Sequence, residues 1–191
     1  MFENIVKHYL NFPIKGIDFI DVLPLLQDKA AFNQLTGELC RLVTTPNVVT
    51  MEARGFLFAT PLLTNSSHVQ TIVPLRKKGK LPFAEGDLRA VTIEKEYGQD
   101  QMYYRLSDLA TCRTNGDVVE VTLLDDLLAT GGTAIGMAES LNKERVVIDG
   151  REYKIHVKEF VFIVELSNLP GKSRLEPIAP VKSIISVAEN I

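Results

Sequence analysis

The chain has 191 residues, 46% of them hydrophobic and 24% charged, with a formal net charge of −3. Such a composition fits one globular domain with a sizeable core, and the slightly acidic balance argues against wholesale nucleic-acid binding. No apolar run approaches the roughly 18 residues of a membrane span, and residues 1–10 lack the pattern of a secretory signal. The two cysteines, Cys40 and Cys112, lie far apart with no metal-binding spacing, which leaves free thiols and a cytoplasmic location as the expectation.

In chain order, residues 1–10 mix Glu3, Lys7 and His8 with Ile5, Val6 and Leu10 and predict a short amphipathic helix. Residues 11–21 (NFPIKGIDFID) read as a loop, because Pro13 and Gly16 punctuate them. Phe19, flanked by Ile17 and Ile20, is either satellite core or a ring offered to a ligand. Residues 28–45 carry a helical apolar face of Ala31, Leu35, Leu39 and Leu42, with Asp28 placed to cap it and Pro46 to end it.

Residues 48–51 form a short strand that runs into Glu52-Ala53-Arg54-Gly55 and a helical segment to Leu63. Arg54 either pairs with Glu52 at the surface or faces an anion. A strand at residues 70–73 then leads into PLRKKGKLP, where Arg76, Lys77, Lys78 and Lys80 fall within five residues. This is a solvated basic loop or a cationic site. Ligands of open α/β sheets do sit at the carboxyl ends of strands, and Pro74, Gly79 and Pro82 restrict the loop. Residues 83–105 predict a two-stranded ribbon with a mobile tip that carries Glu94, Glu96 and Tyr97. Residues 106–115 predict a polar linker with one helical turn.

The most informative stretch is VVEVTLLDDLLATGGTAIGMAESL, residues 118–141. Its β-branched opening suits a buried strand, Asp125 and Asp126 follow where that strand would surface, and a helix begins after Thr130-Gly131-Gly132-Thr133. Glycines allow a tight turn and a close backbone approach to a ligand, and the first amides of a helix lack internal partners and favour an anion. Residues 129–133 therefore read as a cradle for one phosphate. They lack the lysine of a nucleoside-triphosphate loop and the G-x-G-x-x-G spacing of a dinucleotide site. A carboxylate pair beside a phosphate needs another partner, and sugar hydroxyls supply it. Phosphate and hydroxyl acceptors together describe a ribose 5-phosphate. Beyond this stretch, residues 146–156 predict a hairpin turning at Asp149-Gly150, residues 158–164 a buried strand and residues 181–187 an edge strand. Alternating strands and helices predict a mostly parallel sheet flanked by helices. The right-handed crossover rule then places loops 52–55, 76–80 and 129–133 along one edge.

The acidic pair and Thr-Gly-Gly-Thr loop resemble the phosphoribosyl-pyrophosphate (PRPP) motif of the type I phosphoribosyltransferases. Five further segments carry the resemblance toward the adenine phosphoribosyltransferases: F-P-x-x-G-I-x-F-x-D at residues 12–21, E-A-R-G-F at 52–56, V-P-x-R-K-x-G-K-L-P at 73–82, Glu-Tyr-Gly at 96–98, and V-E-L-x-x-L-x-G at 164–171, which the resemblance places at or around the base pocket. The resemblance implies an α/β type I phosphoribosyltransferase fold in a single domain, residues 1–191, with a small hood at about residues 1–25 and a flexible catalytic loop at about 83–100. It implies transfer of the phosphoribosyl group from PRPP to adenine, giving AMP and pyrophosphate, in a homodimer. Asp125 and Asp126 would face the ribose, and Ala129, Thr130, Gly131, Gly132 and Thr133 the 5-phosphate. Ala53, Arg54, Arg76, Lys77 and Lys80 would face the pyrophosphate. Phe19 would stack on the base, with main-chain contacts near Asp18 and Ile20, and Glu96 would act as acid/base, with Glu94 as its rival. Mg²⁺ would ride mainly on substrate oxygens, without a dedicated protein site. Ile20 stands where the family commonly has arginine. A non-catalytic PRPP or nucleotide sensor of the same fold, and an enzyme for a 6-oxopurine, are the alternatives.

Overall fold

The computed structural model describes residues 2–12, 15–95 and 98–188. The helix predicted for residues 1–10 is not found. Phe2–Asn4 makes one 3-10 turn, and Lys7–Leu10 is a strand, β1, paired antiparallel with β2 (Asp18–Asp21). A ten-residue helix is marginal alone, whereas β2 supplies cross-strand hydrogen bonds and the core takes the side chains of Phe2 and Val6.

Helix α1 (Lys29–Leu42) starts where predicted, with the Asp28 carboxylate accepting from the amides of Ala30 and Ala31. Strand β3 (Asn47–Met51) is buried throughout. The single helix expected next is two, α2 (Arg54–Ala59) and α3 (Leu62–Asn65), separated at Thr60 and Pro61. Strand β4 (Thr71–Lys77) runs four residues past the predicted end, so Arg76 and Lys77 belong to a strand and not to a loop. Pro74 is tolerated because β4 pairs with its antiparallel neighbour only at Arg76 and Lys77, which leaves no ladder for Pro74 to serve on that edge.

The predicted ribbon is present as β5 (Leu88–Lys95) and β6 (Gly98–Arg105), antiparallel along their full length. Residues 88–95 and 98–100 of the expected loop 83–100 are therefore strand. After α4 (Leu106–Leu109) comes β7 (Val118–Leu128), which also exceeds its prediction. Asp125 pairs with Phe162 and Leu128 with Glu165, so the aspartates sit inside the sheet and not beyond its end. The chain closes with α5 (Gly132–Lys143), the hairpin β8 (Arg145–Ile148) and β9 (Arg151–Leu166), α6 (Gly171–Leu175), which the sequence reading left out, and β10 (Val181–Val187).

The main sheet has the order β10-β9-β7-β3-β4-β6-β5, with β8 on β9. The pairs from β10 to β4 are parallel and β6 pairs antiparallel with β4. One face buries Val49, Leu75 and Leu123 with Met137 and Leu141 of α5. The other buries Val48, Leu124 and Val161 with Leu35 and Leu39 of α1 and Phe58 of α2. Helices on both faces make the β3 and β7 interiors mostly apolar, with Asn47, Thr50 and Thr122 as buried polar exceptions. The ribbon is fastened to α5: the buried Tyr104 hydroxyl lies 3.0 Å from Ser140 Oγ and donates to Glu144 Oε1 at 3.1 Å. Glu144 also pairs with Arg89 at 3.3 Å.

Candidate active site

The carboxyl ends of β3, β4 and β7 open on one cleft of about 190 Å³, lined among others by Ala53, Arg54, Lys77, Asp125, Asp126 and Thr133. A second hollow of about 120 Å³ adjoins it, formed by residues 129–134 and sharing Asp125 and Thr133. The loops predicted to share an edge do meet there.

The smaller hollow is built by the turn from β7 into α5. Gly131 caps α5 at φ +77°, a left-handed conformation that disfavours a Cβ. The first helical bond runs from Ile135 N to Gly131 O at 2.9 Å. The amides of Gly132, Thr133 and Ala134 precede it and have no partner within the helix.

The aspartate pair is strained electrostatically. Burial first, and then the Asp126 charge alongside, push the Asp125 carboxyl well above the usual carboxylate range. Burial also raises Asp126, against the opposing charge of Arg54. Asp126 is only 5% exposed. Arg54 Nε lies 2.9 Å from its Oδ2, but the approach is misaligned, and that oxygen has no hydrogen-bond partner among the described residues. The pair therefore presents buried acceptors that hydroxyl donors would satisfy. Gly55 is required beside it, since a Cβ there would lie 2.5 Å from Thr50 Oγ1 and 3.0 Å from Asp125 Oδ1.

Arg54 also joins the site to the hood. Its guanidinium lies over the Phe19 ring at 5.2 Å, and Phe12 meets Phe19 edge-on at 5.2 Å. The Ile20 side chain is fully buried in the core. Asp18 is 2.8 Å from His8 Nδ1. The main chain is what positions 18 and 20 have to offer a ligand.

The basic residues separate into three situations. Arg76, and not Arg54, takes Glu52, donating from Nε at 2.5 Å with its guanidinium over Phe56. Burial works against ionisation of Glu52, but the hydrogen bonds from Arg76 and the Lys77 amide outweigh it and lower its pKa. Lys77 lines the cleft. Lys80 is exposed in the turn after β4, where its amide donates to Lys77 O at 3.2 Å, and it lies outside both hollows. The Glu52–Ala53 peptide is cis.

Glu96 lies outside the described residues, and its rival Glu94 stands near the end of β5, opposite Gln99. Two residues escape sequence reasoning, Asp100 and Arg174, while Gly171 enters it only as the end of the V-E-L-x-x-L-x-G segment at 164–171. Asp100 of β6 reaches the cleft; only the strand alternation of the ribbon could have flagged it. Gly171 and Arg174 of α6 sit behind the 129–133 turn. Among the described residues no group of three or more His, Cys, Asp or Glu is arranged to hold a metal ion, and no helix is long and apolar enough to cross a membrane.

No family model matches the chain. An adenine phosphoribosyltransferase of Methanococcus maripaludis is 36% identical over 171 residues, covering 87% of each chain. The crystal structure of the adenine phosphoribosyltransferase of Thermoanaerobacter pseudethanolicus superposes with a TM-score of 0.78 at 31% identity, over 97% of this chain and 99% of that one. That of Saccharomyces cerevisiae, in complex with adenine and an imino-altritol bisphosphate, superposes with a TM-score of 0.74 at 30% identity over 96% of each. With that identity spread along most of its length, and with the mostly parallel, helix-flanked sheet of the type I phosphoribosyltransferase fold, the chain belongs to the adenine phosphoribosyltransferase family.

Proposed function

We propose that this chain transfers the 5-phosphoribosyl group of PRPP to adenine, releasing AMP and pyrophosphate, as a step of purine salvage. The observation that carries the reading is the line Phe19–Arg54–Asp126, which sets an aromatic ring, a cation and a buried carboxylate pair beside the helix start at residues 131–134. The amides at the start of α5, with the Thr130 and Thr133 hydroxyls and the turn at Ala129, hold the 5-phosphate. Asp125 and Asp126 accept from the ribose hydroxyls, and those hydrogen bonds favour the ionised form against the burial that opposes it. Ala53, Arg54 and Lys77 face the pyrophosphate, and Lys80 reaches it when its side chain swings inward. Arg76 acts from behind, by holding Glu52 and so the turn that carries Arg54. Phe19 stacks on adenine while the main chain near Asp18 and Ile20 reads its edge.

The bond from C1 to the pyrophosphate oxygen breaks with its electron pair leaving on that oxygen, and the base nitrogen bonds to C1. The base proton passes to Glu96. Positive charge grows on the ribose meanwhile, and preorganised cations on the leaving group lower the barrier. Mg²⁺ would ride mainly on substrate oxygens, with the carboxylate oxygens of Asp125 and Asp126 as compatible hard donors nearby, and would supply further charge neutralisation at the pyrophosphate. A cytoplasmic homodimer completes the proposal. The free cysteines support the compartment, and the exposed Leu57 and Leu63 of α2 and α3 support the assembly; sedimentation velocity measures the latter.

The test incubates the chain with PRPP and Mg²⁺ and each nucleobase in turn. AMP and pyrophosphate formed from adenine is the expected result. PRPP bound without turnover would replace the reading with a sensor, and faster conversion of guanine or hypoxanthine would replace the acceptor.

A further inference from the structure

Helix α6 presents two contacts to the turn that precedes α5, and both fall on carbonyl oxygens. Arg174 Nη1 donates to Thr130 O at 2.6 Å. A Cβ built at Gly171 would lie 2.1 Å from Ala129 O, so that carbonyl points directly at the Gly171 backbone. A Cβ at Gly131 would in turn lie 3.2 Å from Gly171 O. At Gly131 the two backbones touch directly, and at Gly171 the Leu128 side chain flanks the contact.

The peptide plane turns these contacts into a statement about the hollow. In a trans peptide the C=O of one residue and the N–H of the next point in opposite directions. The described chain has one cis bond, at Glu52–Ala53. Holding Ala129 O and Thr130 O against α6 therefore turns the amides of Thr130 and Gly131 the other way, toward the hollow that residues 129–134 line. A carbonyl facing that hollow would repel an anion; an amide attracts it. Left to itself, a turn rich in glycine samples both orientations.

Resting on the phosphate-loop reading above, we infer that Arg174 is a positioning residue for PRPP. It clamps the Thr130 carbonyl on the far side of the turn, so that the peptide between Thr130 and Gly131 presents its amide to the 5-phosphate. Gly171 is the bare surface against which the Ala129 carbonyl rests. Arg174 is exposed, and its removal leaves no cavity in the core.

The experiment compares wild type with Arg174→Ala and Arg174→Lys by initial-rate kinetics, by calorimetric titration of ribose 5-phosphate and by thermal melting. Arg174→Ala is expected to raise the KM for PRPP and the Kd for ribose 5-phosphate together, by about tenfold, as for the loss of one charge-assisted hydrogen bond. The KM for adenine and the melting temperature stay within error, and lysine, which keeps a cationic donor, restores most of the loss. Unchanged ribose 5-phosphate affinity in Arg174→Ala would overturn the inference, as would equal losses for adenine and PRPP accompanied by a lower melting temperature. Wild type that fails to bind ribose 5-phosphate at all would remove the phosphate-loop reading itself, a result separable from the other two.

Discussion

Gly55→Ala tests how closely α2 is fitted to the carboxylate pair. The new methyl would lie 2.5 Å from Thr50 Oγ1 and 3.0 Å from Asp125 Oδ1, and Leu124 O is a further 3.5 Å neighbour. The first distance is too short to be absorbed without movement, and Thr50 is fully buried on the central strand β3. Overpacking of this kind costs about 1–3 kcal/mol. For a chain of this size each kcal/mol lowers the melting temperature by about 2–4 °C, so a fall of roughly 4–8 °C is expected at the middle of that range. Thr50 Oγ1 has no hydrogen-bond partner among the described residues, so Thr50→Ala removes the obstacle without orphaning a donor elsewhere. The double variant should melt above Gly55→Ala, with a coupling of about 1–2 kcal/mol between the positions. The contact with Asp125 survives in the double variant, so its KM for PRPP should remain raised while its stability recovers. Thermal melting and PRPP kinetics on the four proteins of the cycle decide the matter. Additive losses in stability, or full recovery of KM, would show that the fit between Gly55, Thr50 and Asp125 is not what the distances imply.

Three other substitutions separate the roles. Asp125→Asn should raise stability at neutral pH. Burial and the Asp126 charge hold the folded-state pKa of Asp125 well above its unfolded value, so its protonated form stabilises the fold at acid pH and that stability is lost as pH rises through the folded pKa. Melting curves taken from pH 4 upward should show the advantage of the variant growing with pH; a constant difference would refute the shared burial. Phe19→Leu should raise the KM for adenine several-fold and leave PRPP binding nearly intact, because a base–aromatic stack contributes about 1–3 kcal/mol; equal effects on both substrates would return Phe19 to the core. Glu96→Gln should lower kcat by about a hundredfold or more with little change in ribose 5-phosphate affinity. If Glu94→Gln does this instead, the acid/base role moves two residues along the chain.

The sequence revealed the parts of the site that sit next to one another in the chain, and missed those assembled across it. The acidic pair, the glycine turn and the start of α5 are contiguous, so their chemistry could be read from one stretch. The partner of Arg54 could not: Glu52 lies two residues away, yet Asp126 holds Arg54 while Arg76, from the neighbouring strand, takes Glu52. The ends of β4 and β7 were misjudged for a related reason. Charged residues at 76, 77, 125 and 126 look like loop, but neighbouring strands continue the ladder there, antiparallel β6 beside 76 and 77 and parallel β9 beside the end of β7, and tertiary pairing overrides composition. At the N-terminus the same competition turned an amphipathic pattern into a strand. Helix α6 is five residues long and has too few periodic positions to be seen in advance.

Helix α5 is a rod of about 18 Å with a task at each end. Its first residues border the smaller hollow, and its last turn carries Ser140 and leads into the C-cap Glu144, which together seat Tyr104 and Arg89 of the ribbon. A chimaera that borrowed residues 88–105 from a relative without the matching helix would leave a phenol and a guanidinium unseated. The two segments therefore form one transplantable cassette, and any hinge in the ribbon has to fall distal to those anchors.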